Sequence, residues 1–179
     1  MNRSDWPRSM ARCLTIGCLL LAGTARAQSS GLEDRIEALE AREAIRELIH
    51  DYGRALDSRD FVAFAALFAP ERGTWDGGFG SATGREAIFE LMDESIGHAA
   101  QPAAQRSHHV FTNIQISVDG DEATATTKWI FVVPSESGEP RWMYLGHYDD
   151  RFVREDGQWY FLLRHASTDI PVQQQGASE

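Results

Sequence analysis

The sequence predicts an α+β domain: helices first, then a curved meander of long antiparallel strands with the helices packed on one of its faces. Three observations predict it. Apolar residues recur at helical spacing from Leu32 onward, and four strand-like runs follow from His108. Hairpin signals join those runs at Asp119-Gly120-Asp121, Ser135-Glu136-Ser137-Gly138 and Glu155-Asp156-Gly157. The chain has 179 residues, enough for one domain with a sizeable core.

Residues 1–27 read as a secretory signal. Arg3, Arg8 and Arg12 form a basic leader and Cys13 to Ala22 an apolar run. Ala25-Arg26-Ala27 supplies the small residues ahead of cleavage before Gln28. The apolar run falls short of the roughly 20 residues that span a bilayer, which argues against a membrane anchor. A lipidated Cys18 is disfavoured because Leu19-Leu20-Leu21 carries the apolar region past it. The expected organisation is a signal at 1–27, a domain at 28–170 and a loose polar tail at 171–179. The mature protein is then periplasmic or secreted, with no membrane attachment.

Leu32, Ile36, Leu39, Ile45, Leu48, Ile49, Tyr52 and Leu56 predict one long amphipathic helix over 32–56. Asp57-Ser58-Arg59 breaks it. Asp60 is placed to cap a second helix, whose apolar face is Phe61, Phe64, Leu67 and Phe68 and whose stop is Pro70. Gly73 to Phe79 reads as a short strand and turn, and a third helix is expected over 85–96. The strand runs are His108–Val118, Ala123–Val133, Arg141–Val153 and Gln158–His165. A pocket is expected between sheet and helices. Trp129, Phe131, Trp142, Tyr144, Trp159 and Phe161 are plentiful there. Most of them serve as core, and Trp129, Trp142 and Tyr144 are the candidates for facing a ligand.

Loss of the signal narrows the chemistry. Cys13 and Cys18 are the only cysteines, so the mature domain has no disulfide, thiolate nucleophile or sulfur metal ligand. Removing Arg3, Arg8, Arg12, Arg26 and Asp5 takes the 17 basic and 27 acidic residues to 13 against 26. So acidic a surface argues against nucleic acid and anionic membranes as partners and leaves a small-molecule substrate open. His108, His109, His147 and His165 match no metal-ligand spacing. No nucleophile elbow is present, and no phosphate-binding glycine loop follows a strand. Neither a metal nor a cofactor is expected.

Four polar positions remain. Asp57 ends a helix, where a carboxylate meets the negative end of the dipole; alternatively it shapes the turn. Tyr52 can be core while its hydroxyl reaches a polar neighbour. His108 and His109 open the first long strand. Val110, Ile114, Ile116 and Val118 share the parity of His108, whereas Phe111 and Asn113 share that of His109. Alternation therefore leaves the inward histidine open, and a bulge would reverse the answer. Arg164 sits in the apolar run Phe161-Leu162-Leu163 and calls for an anionic partner or a ligand oxygen, unless it lies on the outer face. A histidine oriented by a carboxylate is a general base, and a tyrosine or arginine can then stabilise an oxygen on the substrate.

At these residues the chain resembles the SnoaL-like group of the nuclear transport factor 2-like superfamily, over roughly residues 31–168. The resemblance rests on Glu43-Ala44-Ile45-Arg46-Glu47-Leu48, on Tyr52-Gly53-Arg54-Ala55-Leu56-Asp57-Ser58-Arg59-Asp60 and on Gly84-Arg85-Glu86-Ala87-Ile88. It continues in His109-Val110-Phe111-Thr112-Asn113 and in Arg151 to Trp159. It implies a cone-shaped α+β barrel, a strongly curved antiparallel sheet closed by three N-terminal helices around an apolar cavity. Members such as scytalone dehydratase, bile-acid 7α-dehydratase and hexachlorocyclohexane dehydrochlorinase carry out cofactor-free elimination with an Asp–His pair. By that resemblance the pair is Asp57 and His109. Tyr52 and Arg164 match catalytic residues of different members, and His108 is a further ligand-facing candidate. The implied activity is a lyase or isomerase on a small, mostly apolar alcohol or carbonyl compound, in a homodimer or homotrimer. The alternative is a ligand-binding domain without catalysis.

Overall fold

The computed structural model describes residues 11–99, 101–102 and 105–171, with side chains from residue 31. Residues 1–10, which open the expected export signal, and the tail beyond residue 171 lie outside the described residues. The backbone divides into two units, residues 1–40 and 41–179. Helix α1 spans Ala11–Ser58, starting well before the expected residue 32, because the Leu- and Ala-rich run ahead of it has high intrinsic helix propensity. In the first unit Leu32, Ile36 and Leu39 are exposed, although their spacing suggested core. Among the described residues no helix is long and apolar enough to cross a membrane.

In the second unit, burial along α1 starts at Ala41 and continues through Ile45, Leu48, Ile49, Tyr52 and Ala55, the stripe that a 3.6-residue period puts on one face. Asp60 N–H then donates to the Ala55 carbonyl (2.9 Å) and Arg59 N–H to that of Leu56 (3.1 Å). Arg59 has a left-handed φ of 59°. These are the paired bonds of a Schellman cap, with arginine where glycine is usual. The Asp60 carboxylate meanwhile accepts from Ala63 N–H (3.0 Å) and caps α2, Phe61–Ala66. The Arg59 guanidinium reaches across to the Ile96 and Gly97 carbonyls (3.1 and 3.0 Å), the C-terminus of α3, Arg85–Ile96. One five-residue junction therefore ends α1, begins α2 and ties down α3.

Six strands form one sheet in the order β2-β1-β6-β5-β4-β3. They are β1 Thr74–Gly77, β2 Gly80–Thr83, β3 His108–Asp119, β4 Glu122–Pro134, β5 Pro140–Glu155 and β6 Gln158–Ile170. Two features of the expected sheet are corrected. β1 runs parallel to β6, so the sheet is mixed rather than antiparallel throughout. It also ends in two edge strands, β2 and β3, and is not closed into a barrel. The interior is largely packed with rings: Tyr52, Phe61, Phe64, Phe68, Phe152 and Phe161 are all fully buried.

Irregular pairing bends the long strands. Register shifts occur between Thr112 and Gln115 in β3, between Phe131 and Val132 in β4 and at two places between β5 and β6. The first decides which histidine faces inward. Asn113 takes a left-handed φ of 52°, and across that bulge both His109 and Phe111 before it and Ile114, Ile116 and Val118 after it fall on the part-buried side. His108 faces solvent.

Candidate active site

His109 and Asp57 meet where the start of β3 passes the end of α1. His109 Nδ1 lies 2.6 Å from Asp57 Oδ1. The His109 backbone N–H also donates to both carboxylate oxygens, at 3.2 and 3.0 Å. The carboxylate thus fixes the strand and the ring on it together. With Nδ1 bonded to the acid, the tautomer assigned by this network leaves Nε2 as the free ring nitrogen. His108 approaches the same carboxylate only to 4.0 Å, and its side chain is 66% exposed against 14% for His109.

Other histidines also pair with aspartates: His147 with Asp169 (2.7 Å), His165 with Asp76 (2.6 Å) and His98 with Asp93. Ring surroundings set His109 apart. Phe131 lies 4.7 Å away, Trp129 6.3 Å and Phe111 6.4 Å between centroids. Two glycines allow this enclosure. A Cβ at Gly53 would come within 2.7 Å of the Phe111 ring, and one at Gly146 within 2.3 Å of the Trp129 indole. Beyond this layer, Tyr148 stacks on Trp129 at 5.8 Å and meets Tyr52 edge-on at 5.5 Å.

At the floor lies Arg164. It is fully buried and grips Asp150 with Nε (2.8 Å) and Nη2 (2.6 Å). Its guanidinium stands 4.0, 4.1 and 4.2 Å from the ring centroids of Tyr52, Tyr148 and Phe161, a cation held among π faces. Burial pushes the Asp150 carboxyl up, and Arg164 pulls it back. For Arg164 burial alone would lower the value, but Asp150 and the two tyrosines leave it raised. Two bonds to one carboxylate identify the pair as ionic. Burial likewise raises both phenols, Tyr148 the more strongly, against the pull of Arg164. The Tyr52 hydroxyl accepts from Trp75 Nε1 (3.0 Å).

With this arrangement established, the sequence of residues 37–165 matches the SnoaL-like domain family. The chain belongs to that family. Its fold is that of the nuclear transport factor 2-like superfamily. A nuclear transport factor 2-like protein with a cystatin-like fold from Novosphingobium aromaticivorans is 30% identical. The similarity covers 79% of this chain and 90% of that one, at a TM-score of 0.69. A candidate scytalone dehydratase from the same organism is 28% identical over 73% of this chain and 85% of that one (TM-score 0.60). A type 2 hexachlorocyclohexane dehydrochlorinase shares the fold at 19% identity, over 75% and 89% of the two chains (TM-score 0.62).

Within this SnoaL-like domain the candidate residues fall into three places. Asp57 and His109 are in contact, with Trp129 beside them. Tyr52 and Arg164 touch each other but lie behind Tyr148 and Trp129. Tyr144 is reached through Phe131, on which it stacks at 6.2 Å, whereas Trp142 is 68% exposed. Exposure rises in order from Arg164 and Tyr148 through Trp129 and His109 to Tyr144, so the dyad stands at the mouth of an aromatic interior. A hollow of about 570 Å³ lies elsewhere, on the outer face among Gln115, Ser117, Thr126, Arg151 and His165. Its openness makes it a weaker candidate for an apolar ligand than the aromatic surroundings of the dyad. Among the described residues no cluster of three or more His, Cys, Asp or Glu is placed to hold a metal ion.

Asp150 and Tyr148 were not singled out from sequence. The available signal was alternation: with Phe152 inward, Asp150 and Tyr148 must share its face, which makes Asp150 the anion that Arg164 calls for.

Proposed function

We propose that this domain is a cofactor-independent lyase or isomerase that acts on a small, mostly apolar alcohol or carbonyl compound. The observation that carries the proposal is the 2.6 Å His109–Asp57 contact in a wall of aromatic rings. His109 Nε2 takes a proton from carbon, while Asp57 holds the ring orientation and offsets the imidazolium charge. In an elimination, the C–H electron pair becomes the new C=C bond as the C–O bond breaks. The departing hydroxyl collects the proton from His109 and leaves as water, so the enzyme is returned unchanged. In an isomerisation the same proton goes back to a different carbon. Arg164, held by Asp150, supplies positive potential behind the aromatic layer, and Tyr52 packs against it. The mature protein is proposed to be exported after loss of residues 1–27 and to assemble as a homodimer or homotrimer. Light scattering on the processed chain tests the assembly.

Loss of α-deuterium from a panel of deuterated cyclic ketones, followed by NMR, tests the chemistry. The wild type should accelerate exchange of at least one ketone by about 10²-fold or more over His109→Gln. Equal exchange by the two proteins, with the ketones bound by both, would make the domain a binding module.

A further inference from the structure

Two hydrogen-bonding groups on one face of β4, one of them on the Trp129 indole beside His109, have nothing to bond. Trp129 Nε1 and Thr127 Oγ1 are both buried and lack a partner among the described residues. They project from the same face of β4, two positions apart. Thr127 is in register with Tyr148 on β5, and Tyr148 stacks on the Trp129 indole, so the two groups share one neighbourhood. Buried polar groups in folded proteins are almost always paired, and two exceptions on neighbouring inward positions of one strand call for an explanation.

The indole is also fixed in place. Trp129 pairs in register with Gly146, where any Cβ would fall 2.1 Å from the Ser167 carbonyl oxygen and 2.3 Å from indole Cζ2. The absence of a side chain at 146 lets the ring lie on the strand, and its N–H is held with it. Of the groups that sequence suggested for an oxygen, the Tyr52 hydroxyl accepts from Trp75 and Arg164 spends Nε and Nη2 on Asp150. Its Nη1 also lacks a partner among the described residues, but the guanidinium is hemmed in by the rings of Tyr52, Tyr148 and Phe161 at 4.0–4.2 Å.

We infer that Trp129 and Thr127 form the oxygen-holding subsite, receiving the carbonyl oxygen of a cyclic ketone ligand. An indole N–H only donates and a threonine hydroxyl can donate. Together they suit the two lone pairs of a carbonyl oxygen, and they offer little to a hydrocarbon or a halocarbon. The inference rests on the inner face being the ligand site, as proposed above, but not on turnover.

The test compares 2-tetralone with tetralin, which has the same ring system without the oxygen, by calorimetric titration of the processed chain. Both are measured in a His109→Gln background, so binding is read without chemistry. Tetralone should bind at least tenfold more tightly than tetralin. Trp129→Phe and Thr127→Val should each shrink that ratio, and the double variant should bring it to about one, with tetralin affinity within twofold throughout. A ratio near one before substitution, or one that survives the double substitution, overturns the inference. Thermal melting gives a second reading that needs no ligand: Thr127→Val should melt no lower than the parent, because a buried hydroxyl without a partner adds nothing to stability. A drop of several degrees would mean that the hydroxyl serves the fold, and would equally overturn the subsite. A tenfold preference in a protein that exchanges no α-deuterium would leave the subsite standing in a binding domain.

Discussion

Replacing Arg164 by methionine keeps most of the side-chain volume and removes the charge that neutralises Asp150. Both residues are essentially out of solvent, and the bidentate contact at 2.8 and 2.6 Å has no water to replace it. Removing one partner of such a pair costs about 3–5 kcal/mol, because the remaining charge stays buried. Three rings that faced the guanidinium at 4.0–4.2 Å lose their cation as well, which places Arg164→Met toward the upper end of that range. For a domain of this size the melting temperature should fall by on the order of 10–20 °C. Asp150→Leu should be comparably damaging, since it strands the guanidinium. The double variant, with neither charge, should recover to within about 2 kcal/mol of the wild type, as apolar replacements of buried pairs commonly do. Urea unfolding of all four proteins gives the cycle. A single variant within about 1 kcal/mol of wild type, or a double variant as unstable as the sum of the singles, would refute a buried structural ion pair at the floor of the site.

Asp57→Asn should lower deuterium exchange by about 10²-fold or more while leaving the melting temperature within a few degrees, because the amide cannot offset the imidazolium charge; unchanged exchange would remove Asp57 from the chemistry. Arg59→Gly relieves a left-handed backbone but gives up two bonds to α3, whereas Arg59→Ala gives up the bonds and keeps the strain. The alanine variant should therefore be less stable than the glycine variant by about 1 kcal/mol in urea, and equal stabilities would contradict the cap. Burial raises the phenols of Tyr52 and Tyr148 above the ordinary value of about 10. Above that pH the unfolded chain releases protons that the folded one retains, so stability, intact below it, is lost as pH climbs. Absorbance at 295 nm should show Tyr52 and Tyr148 ionising only with unfolding, and their titration near pH 10 with native circular dichroism would overturn this. Gly146→Ala should destabilise by about 1–3 kcal/mol and shift tryptophan fluorescence as the Trp129 indole is displaced; a wild-type spectrum and stability would show that the indole does not depend on that glycine.

Much of the architecture could be read locally. The third helix, the hairpins and the starts of the long strands follow from period, turn chemistry and caps, each of which involves residues a few positions apart. What could not be read depends on pairings between distant segments. The parallel docking of β1 on β6 joins Trp75 to Arg164, and no local pattern encodes it. The end of β6 was missed because Ser167, Thr168 and Asp169 look like a loop, yet they extend the strand against β5. His108 and His109 were indistinguishable because the two parities in their strand contradict each other. That contradiction was itself the trace of the bulge at Asn113, which no single alternating strand could satisfy. Arg164 announced that it needed a partner, but Asp150 became that partner only once the register of β5 against β6 was known.

The junction from Leu56 to Asp60 has a consequence for how such sequences are interpreted. The bonds that close its two helices and hold α3 come from backbone groups, from the Arg59 guanidinium and from the Asp60 carboxylate. Asp57 takes no part in closing either helix and spends its oxygens on His109. A chain could therefore keep the whole turn while holding asparagine or leucine at this one place. Recognising the turn identifies the scaffold; only the identity of residue 57, read together with residue 109, reports whether the chain carries the pair on which the proposed chemistry depends.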